Sequence, residues 1–178
     1  YYKYAINLYK GKKFDQAINT FKKAGDQAKA VGDTKLQKKA VAYIPKVYTS
    51  IGLGLLKKKD YENAMAKFNK ALQLNPKYNK AYYGQGLVYK EKGETENLKK
   101  AFDKVIEIGP EGNKTVIKTK GIAQKYFIAQ GGKAVQKEQY DKAINLLNSS
   151  FVYGNKDANA YYLIALAYNG KKQWDKAI

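Results

Sequence analysis

The chain has no cysteine, no histidine and no arginine. Without Cys and His there is no thiol chemistry, no disulfide, no Cys/His metal site and no imidazole acid-base catalysis. Without Arg there is no planar fork for bidentate clamping of phosphate or for base readout. No run approaches the roughly 18 apolar residues that a membrane-spanning helix needs. Proline is scarce, at three residues. What remains is a chain of 178 residues, 44% apolar and rich in Tyr, with enough apolar content to bury a core.

The net charge of +19 is carried by 34 Lys against 15 acids. Residues 1–75 hold 16 Lys and 5 acids, 76–110 hold 7 and 5, and 111–178 hold 11 and 5. Lys clusters where helices are expected to end, at Lys12-Lys13, Lys57-Lys58-Lys59, Lys90 with Lys92, and Lys171-Lys172. Helix dipoles favour cations at those positions. The acids are scattered, and Asp15, Glu62, Asp141 and Asp175 fall in expected first turns. None forms an acid-base pair, so the reading is of a protein that is not an enzyme, with no catalytic residue, metal or cofactor.

One pattern recurs along the chain. Phe14, Tyr61, Thr95, Tyr140 and Trp174 take one slot, and Ala17, Ala64, Leu98, Ala143 and Ala177 follow three residues on. Phe21, Phe68, Phe102 and Leu147 come next, then Ala24, Ala71, Val105 and Ser150, at the three- and four-residue spacing of one helix face. Upstream helices carry Tyr48 and Gly52, Tyr82, Gly86 and Tyr89, Phe127 and Gly131, and Tyr161, Ile164, Ala165 and Tyr168. Each unit is thus a helical hairpin around a tight turn such as "KKKD" or "EKGE". A helix-interior Gly costs about 1 kcal/mol relative to Ala. Its recurrence at Gly52, Gly86 and Gly131 calls for close approach of the paired helix. The glycine runs lie within helical pattern, and no Lys-Ser/Thr follows to make them phosphate loops.

These residues resemble the tetratricopeptide repeat. Residues 48–76 (Tyr48, Gly52, Tyr61, Ala64, Phe68, Ala71, Pro76) and 82–110 (Tyr82, Gly86, Tyr89, Gly93, Phe102, Pro110) match best. The departures are Thr95 and Leu98, Ser150, and Lys29 where the first unit lacks its Pro. The resemblance implies an all-α, right-handed superhelix of antiparallel hairpins, a solenoid whose first helices line a concave groove for partner peptides or helices.

The slot spacings alternate as 47, 34, 45 and 34 residues. A shift of 79 overlays Tyr48 on Phe127, Gly52 on Gly131, Tyr61 on Tyr140 and "AYY" at 81–83 on "AYY" at 160–162. The expected hairpins are 1–32, 33–78, 79–111, 112–157 and a truncated 158–178, forming a single repeat domain. The duplication sets 33–111 against 112–178. Two hairpins gain long arms, one after a turn at Gly32-Asp33 and one after Gly112, with Asn113 as N-cap. These arms are expected to rise above their neighbours, and Pro45 is expected to break or kink the first. Trp174 would open the second helix of a fifth hairpin, so the chain reads as a piece of a longer repeat protein.

Helix geometry assigns groove positions. In each "AYY" the first Tyr (Tyr82, Tyr161) is expected buried and the second (Tyr83, Tyr162) to face the groove, joined by Leu87 and Leu166. Lys46 and Thr49, Lys80, and Lys125 with Ile128 fall on the same side. A Lys-plus-Tyr groove suits an acidic or carboxylate-ended segment of a protein partner. The alternative is a basic surface that binds nucleic acid or another polyanion without sequence preference. All-Lys basicity and abundant Asn fit an AT-rich bacterial genome and, with the resemblance, a periplasmic or envelope location; the cytoplasm is the alternative.

Overall fold

The computed structural model describes residues 1–173 and Lys176. Among them are nine α-helices and no strand: α1 Tyr2–Lys10, α2 Phe14–Ala30, α3 Thr34–Lys57, α4 Tyr61–Leu74, α5 Asn79–Lys92, α6 Thr95–Ile108, α7 Lys114–Gln136, α8 Tyr140–Phe151 and α9 Ala158–Gly170. The all-α helical-repeat architecture expected from the sequence is the one observed. Trp174, the expected start of a further helix, lies outside the described residues. The chain forms two compact units, Tyr1–Ile108 and Gly109–Ile178.

The turns explain the spacing. At each hairpin turn one residue takes a left-handed conformation: Lys12, Lys59, Gly93, Glu138 and Lys172, at φ between 57° and 72°. The next amide closes back on the fifth residue before it. Lys13 N–H donates to the Leu8 carbonyl, Asp60 to Leu55, Glu94 to Tyr89, Gln139 to Ala134 and Gln173 to Tyr168, at 2.9–3.0 Å. This is the bond that satisfies a helix's last carbonyls in a Schellman cap. The left-handed positions repeat the 47, 34, 45, 34 alternation of the slots, because each stands two residues before its slot. Four of the five are not glycine, although a Cβ in this conformation costs about 1–2 kcal/mol. Lys59→Gly and Glu138→Gly are therefore expected to stabilise the fold by about 0.5–1 kcal/mol, and Gly93→Ala to destabilise it by about 1 kcal/mol. Chemical denaturation of the three variants checks the signs.

The long arms are helical. α3 has 24 residues and α7 has 23, against 14 in α5. Both begin as expected. Gly32 and Gly112 take φ of +73° and +77°, and the N-cap side chains of Asp33 and Asn113 accept from Leu36 N–H at 2.9 Å and Thr115 N–H at 2.8 Å. Pro45 does not break α3, which runs through it. Flanking residues supply the reason: Ala40 and Val47 are fully buried, and Ile44 nearly so. Nor does the first arm stand clear of its neighbours. The helix of α2 passes so close that a Cβ on Gly25 would sit 3.3 Å from Val41 Cγ2 and 3.9 Å from Ala40 Cβ.

Within the first unit the core runs from Ala5, Leu8, Ile18, Phe21 and Val47 to Ala64, Phe68, Ala71, Ala81 and Val88. Phe68 is the hinge of that packing. Its ring fills the space where Cβ atoms would stand on Gly52 of its own hairpin, at 2.6 Å, and on Gly84 of the next, at 2.3 Å. Gly86 makes the same room for Phe102. In the second unit Gly131 receives Leu147, and Phe127 stacks on Tyr153 at 5.5 Å. The repeated glycines are accordingly contact sites for the paired helix, as their cost demanded.

Candidate functional site

The first helices of the hairpins carry the expected binding positions. In the first unit these are α3 and α5. Lys80 is exposed, while Tyr83 and Leu87 are half-buried. Tyr83 stacks on Phe102 with ring centroids 6.3 Å apart. Burial pushes its phenol above the usual tyrosine range. It therefore stays a neutral donor and acceptor over apolar support.

Two expectations fail here. Thr49 is 3% exposed, so it offers nothing to a partner. Its hydroxyl instead donates to the Pro45 carbonyl at 2.9 Å, one helical turn back. That bond lets a Thr be buried without an orphaned polar group. Tyr82 is not fully buried; the buried residue of its "AYY" is Ala81, with Gly84 and Val88 continuing the same stripe. The stripe is small because the Phe68 ring lies against it.

Lys46 is the most organised of the expected residues. Its ammonium lies 4.9 Å from the Tyr43 ring centroid and 5.2 Å from that of Tyr9. Both distances are within cation–π range. Ser50 Oγ donates its only proton to the Lys46 carbonyl at 3.1 Å, so in its 3.0 Å contact with Tyr9 the phenol is the donor. Tyr78, at the start of α5, has its phenol pushed up to about 12, mainly by burial and then by the Tyr9 phenol beside it. The sequence reading named Lys46 but missed Tyr9, Tyr43, Ser50 and Tyr78. One signal was available: Tyr43, Lys46 and Ser50 stand three and four residues apart on one face of α3.

The second unit carries its own set on α7 and α9. Lys125 is exposed, and Ile128 and Leu166 are half-buried. Tyr162 is 62% exposed. Tyr161, expected in the core, is 43% exposed; Ala160 is the buried residue instead. Tyr161 packs on Phe151 at 4.9 Å and carries the Lys156 ammonium 5.9 Å over its ring.

Charge is uneven across the described residues. The ion pairs are Lys90–Glu91, Lys92–Glu94, Lys99–Asp103, Lys104–Glu107 and Lys171–Asp141. All involve residues from Lys90 onward, so among the described residues the Lys of α1 to α4 have no acid at ion-pair distance. No helix among the described residues is long and apolar enough to cross a membrane.

Family models match three stretches of this repeat pattern. A TPR repeat model matches residues 52–93, and tetratricopeptide repeat models match residues 80–111 and 1–31, together just over half of the chain. The chain belongs to the tetratricopeptide repeat family. No curated protein matches it. Among solved structures, it is similar to MamA at 20% identity, covering 90% of this chain and 85% of that one, with a TM-score of 0.46. It is similar to YrrB, described as a TPR protein with an unusual peptide-binding site, at 21% identity, 85% and 86% coverage and a TM-score of 0.42. MamA from Desulfovibrio magneticus RS-1 gives 22%, 75% and 69%, and 0.44. The family assignment rests on the repeat models. Tetratricopeptide repeats make this chain a protein-interaction scaffold built from helical hairpins.

Proposed function

We propose that the chain is a non-catalytic scaffold that holds an extended or helical segment of a partner protein against its first helices, and that the segment is acidic. In the first unit such a surface is made of Lys46, Lys80, Tyr83 and Leu87; the second unit has a surface of its own, made of Lys125, Ile128, Tyr162 and Leu166. Charge carries the reading. A net charge of +19, with no acid paired to any described Lys before Lys90, leaves ammonium groups that an acidic partner would compensate. Steering by such a field raises association rates and is screened by salt. A periplasmic or envelope location belongs to the same proposal.

Tyrosine truncation tests it. Tyr162→Ala is expected to leave the melt nearly unchanged, because a mostly exposed ring seals no void. Tyr83→Ala is expected to cost about 1–2 kcal/mol through its lost stacking on Phe102. Each is expected to weaken binding of an isolated partner by about 1–2 kcal/mol, as exposed aromatic anchors do. Calorimetric titration with the partner measures this. Unchanged affinity in both variants would move the binding surface away from these helices.

A further inference from the structure

We infer that Lys46, seated over the Tyr9 and Tyr43 rings and tied through Ser50, is a preformed binding site for the side-chain carboxylate of an acidic peptide. The inference rests on the reading of the first helices as the binding face and gives that face its anchor. The geometry supplies three arguments. The ammonium is held by two ring faces at 4.9 and 5.2 Å, so much of the rotamer freedom a Lys loses on binding has been removed before a ligand arrives. The ring beneath it is itself fixed. Tyr9 donates to Ser50 at 3.0 Å, and Ser50 donates to the Lys46 carbonyl at 3.1 Å, which closes a loop between α1 and α3. Both hydroxyl protons of that loop, on Tyr9 and Ser50, are committed, so within the loop the ammonium protons are the donors left for a ligand.

The third argument is charge. No described acid pairs with Lys46, and residues 1–75 hold 16 Lys against 5 acids. The ammonium is therefore left for an anion that a partner brings. A single ammonium accepts either a carboxylate or a phosphate, but the chain has no Arg for clamping a phosphate backbone or reading bases, and tetratricopeptide repeats are protein-interaction modules. An acidic peptide is accordingly favoured over a nucleic acid.

The test uses the whole chain and two labelled probes read by fluorescence anisotropy: an amidated hexaglutamate peptide and an oligothymidylate of similar charge. Lys46→Met is expected to weaken hexaglutamate about tenfold, the worth of one charge-assisted hydrogen bond. Tyr9→Phe keeps the ring but frees it from Ser50 and is expected to weaken the peptide a few-fold. Tyr43→Phe and Lys70→Met, the latter removing an exposed charge from α4, are expected to stay within about twofold. If Lys46→Met fails to fold, Lys46→Gln replaces it. The assignment is overturned if Lys46→Met stays within twofold, if Lys70→Met weakens the peptide equally, or if oligothymidylate shows the same dependence on Lys46. Should Lys80→Met and Tyr83→Ala weaken the peptide while Lys46→Met does not, the anchor is lost and the binding face stands. Should none of the three matter, both are wrong.

Discussion

Phe68→Ala is expected to destabilise the first unit by about 3–5 kcal/mol, the largest effect of any single truncation named here. The ring is fully buried, and it lies between α3 and α5 as well as on its own helix. Glycines on both neighbouring helices leave the room it fills: Gly52 at 2.6 Å and Gly84 at 2.3 Å, measured from the Cβ each lacks. Removing the ring therefore empties a space lined by backbone from two hairpins, and rigid helices collapse poorly into such a void. Urea denaturation followed by helical ellipticity measures the loss. A coupling test sharpens it. Gly84→Ala in the Phe68→Ala background places a methyl in the vacated space, so the double variant is expected to be more stable than the sum of the two singles predicts. Strict additivity would mean that Phe68 does not join the hairpins in this way.

Glycine-to-alanine substitution is expected to change sign with position. Gly84→Ala and Gly86→Ala drive a methyl to 2.3 Å from Phe68 Cε1 and 2.2 Å from Phe102 Cε1. Those rings are closed in on all sides, so the overpacking is expected to cost about 1–3 kcal/mol despite the better helix propensity of Ala. Gly54 in α3 and Gly121 in α7 have nothing within 4 Å of the same point and are exposed. There only propensity acts, and Ala is expected to gain up to about 1 kcal/mol. The four variants differ by one methyl each, so thermal melts compare them directly. Equal signs at all four would remove the packing explanation of the repeated glycines.

How far the fold could be read in advance depended on how local its determinants are. The hairpin turns were legible because a left-handed residue and its capping amide sit within six residues of chain, with the left-handed residue two positions before each recurring slot. The arms were legible through Gly32-Asp33 and Gly112-Asn113, which carry their own turn and N-cap chemistry. Pro45 misled because a local helix breaker is overridden by burial on either side of it. Tyr161 misled because the small Ala160 takes the buried position of its "AYY", which leaves Tyr161 packed on Phe151 at the surface. Thr49 misled through a hydroxyl that satisfies itself on Pro45, so a polar residue sits where the periodicity implied an exposed one. The cluster around Lys46 joins α1, α3 and the start of α5. Only its α3 members share a helix face, and Tyr9 and Tyr78 arrive through packing that no linear spacing records.

The central claim, that partners are held on α3 and α5 rather than on the second helices of the hairpins, is tested most directly by site-specific photo-crosslinking. A benzophenone amino acid is placed singly at Lys80 and Leu87 on α5 and at Lys70 and Lys100 on the exposed faces of α4 and α6. The partner is then mapped by mass spectrometry of the adducts. The account predicts strong adducts from 80 and 87, linked to an acidic segment, and little from 70 and 100. Adducts concentrated at 70 and 100, with 80 and 87 silent, would contradict it.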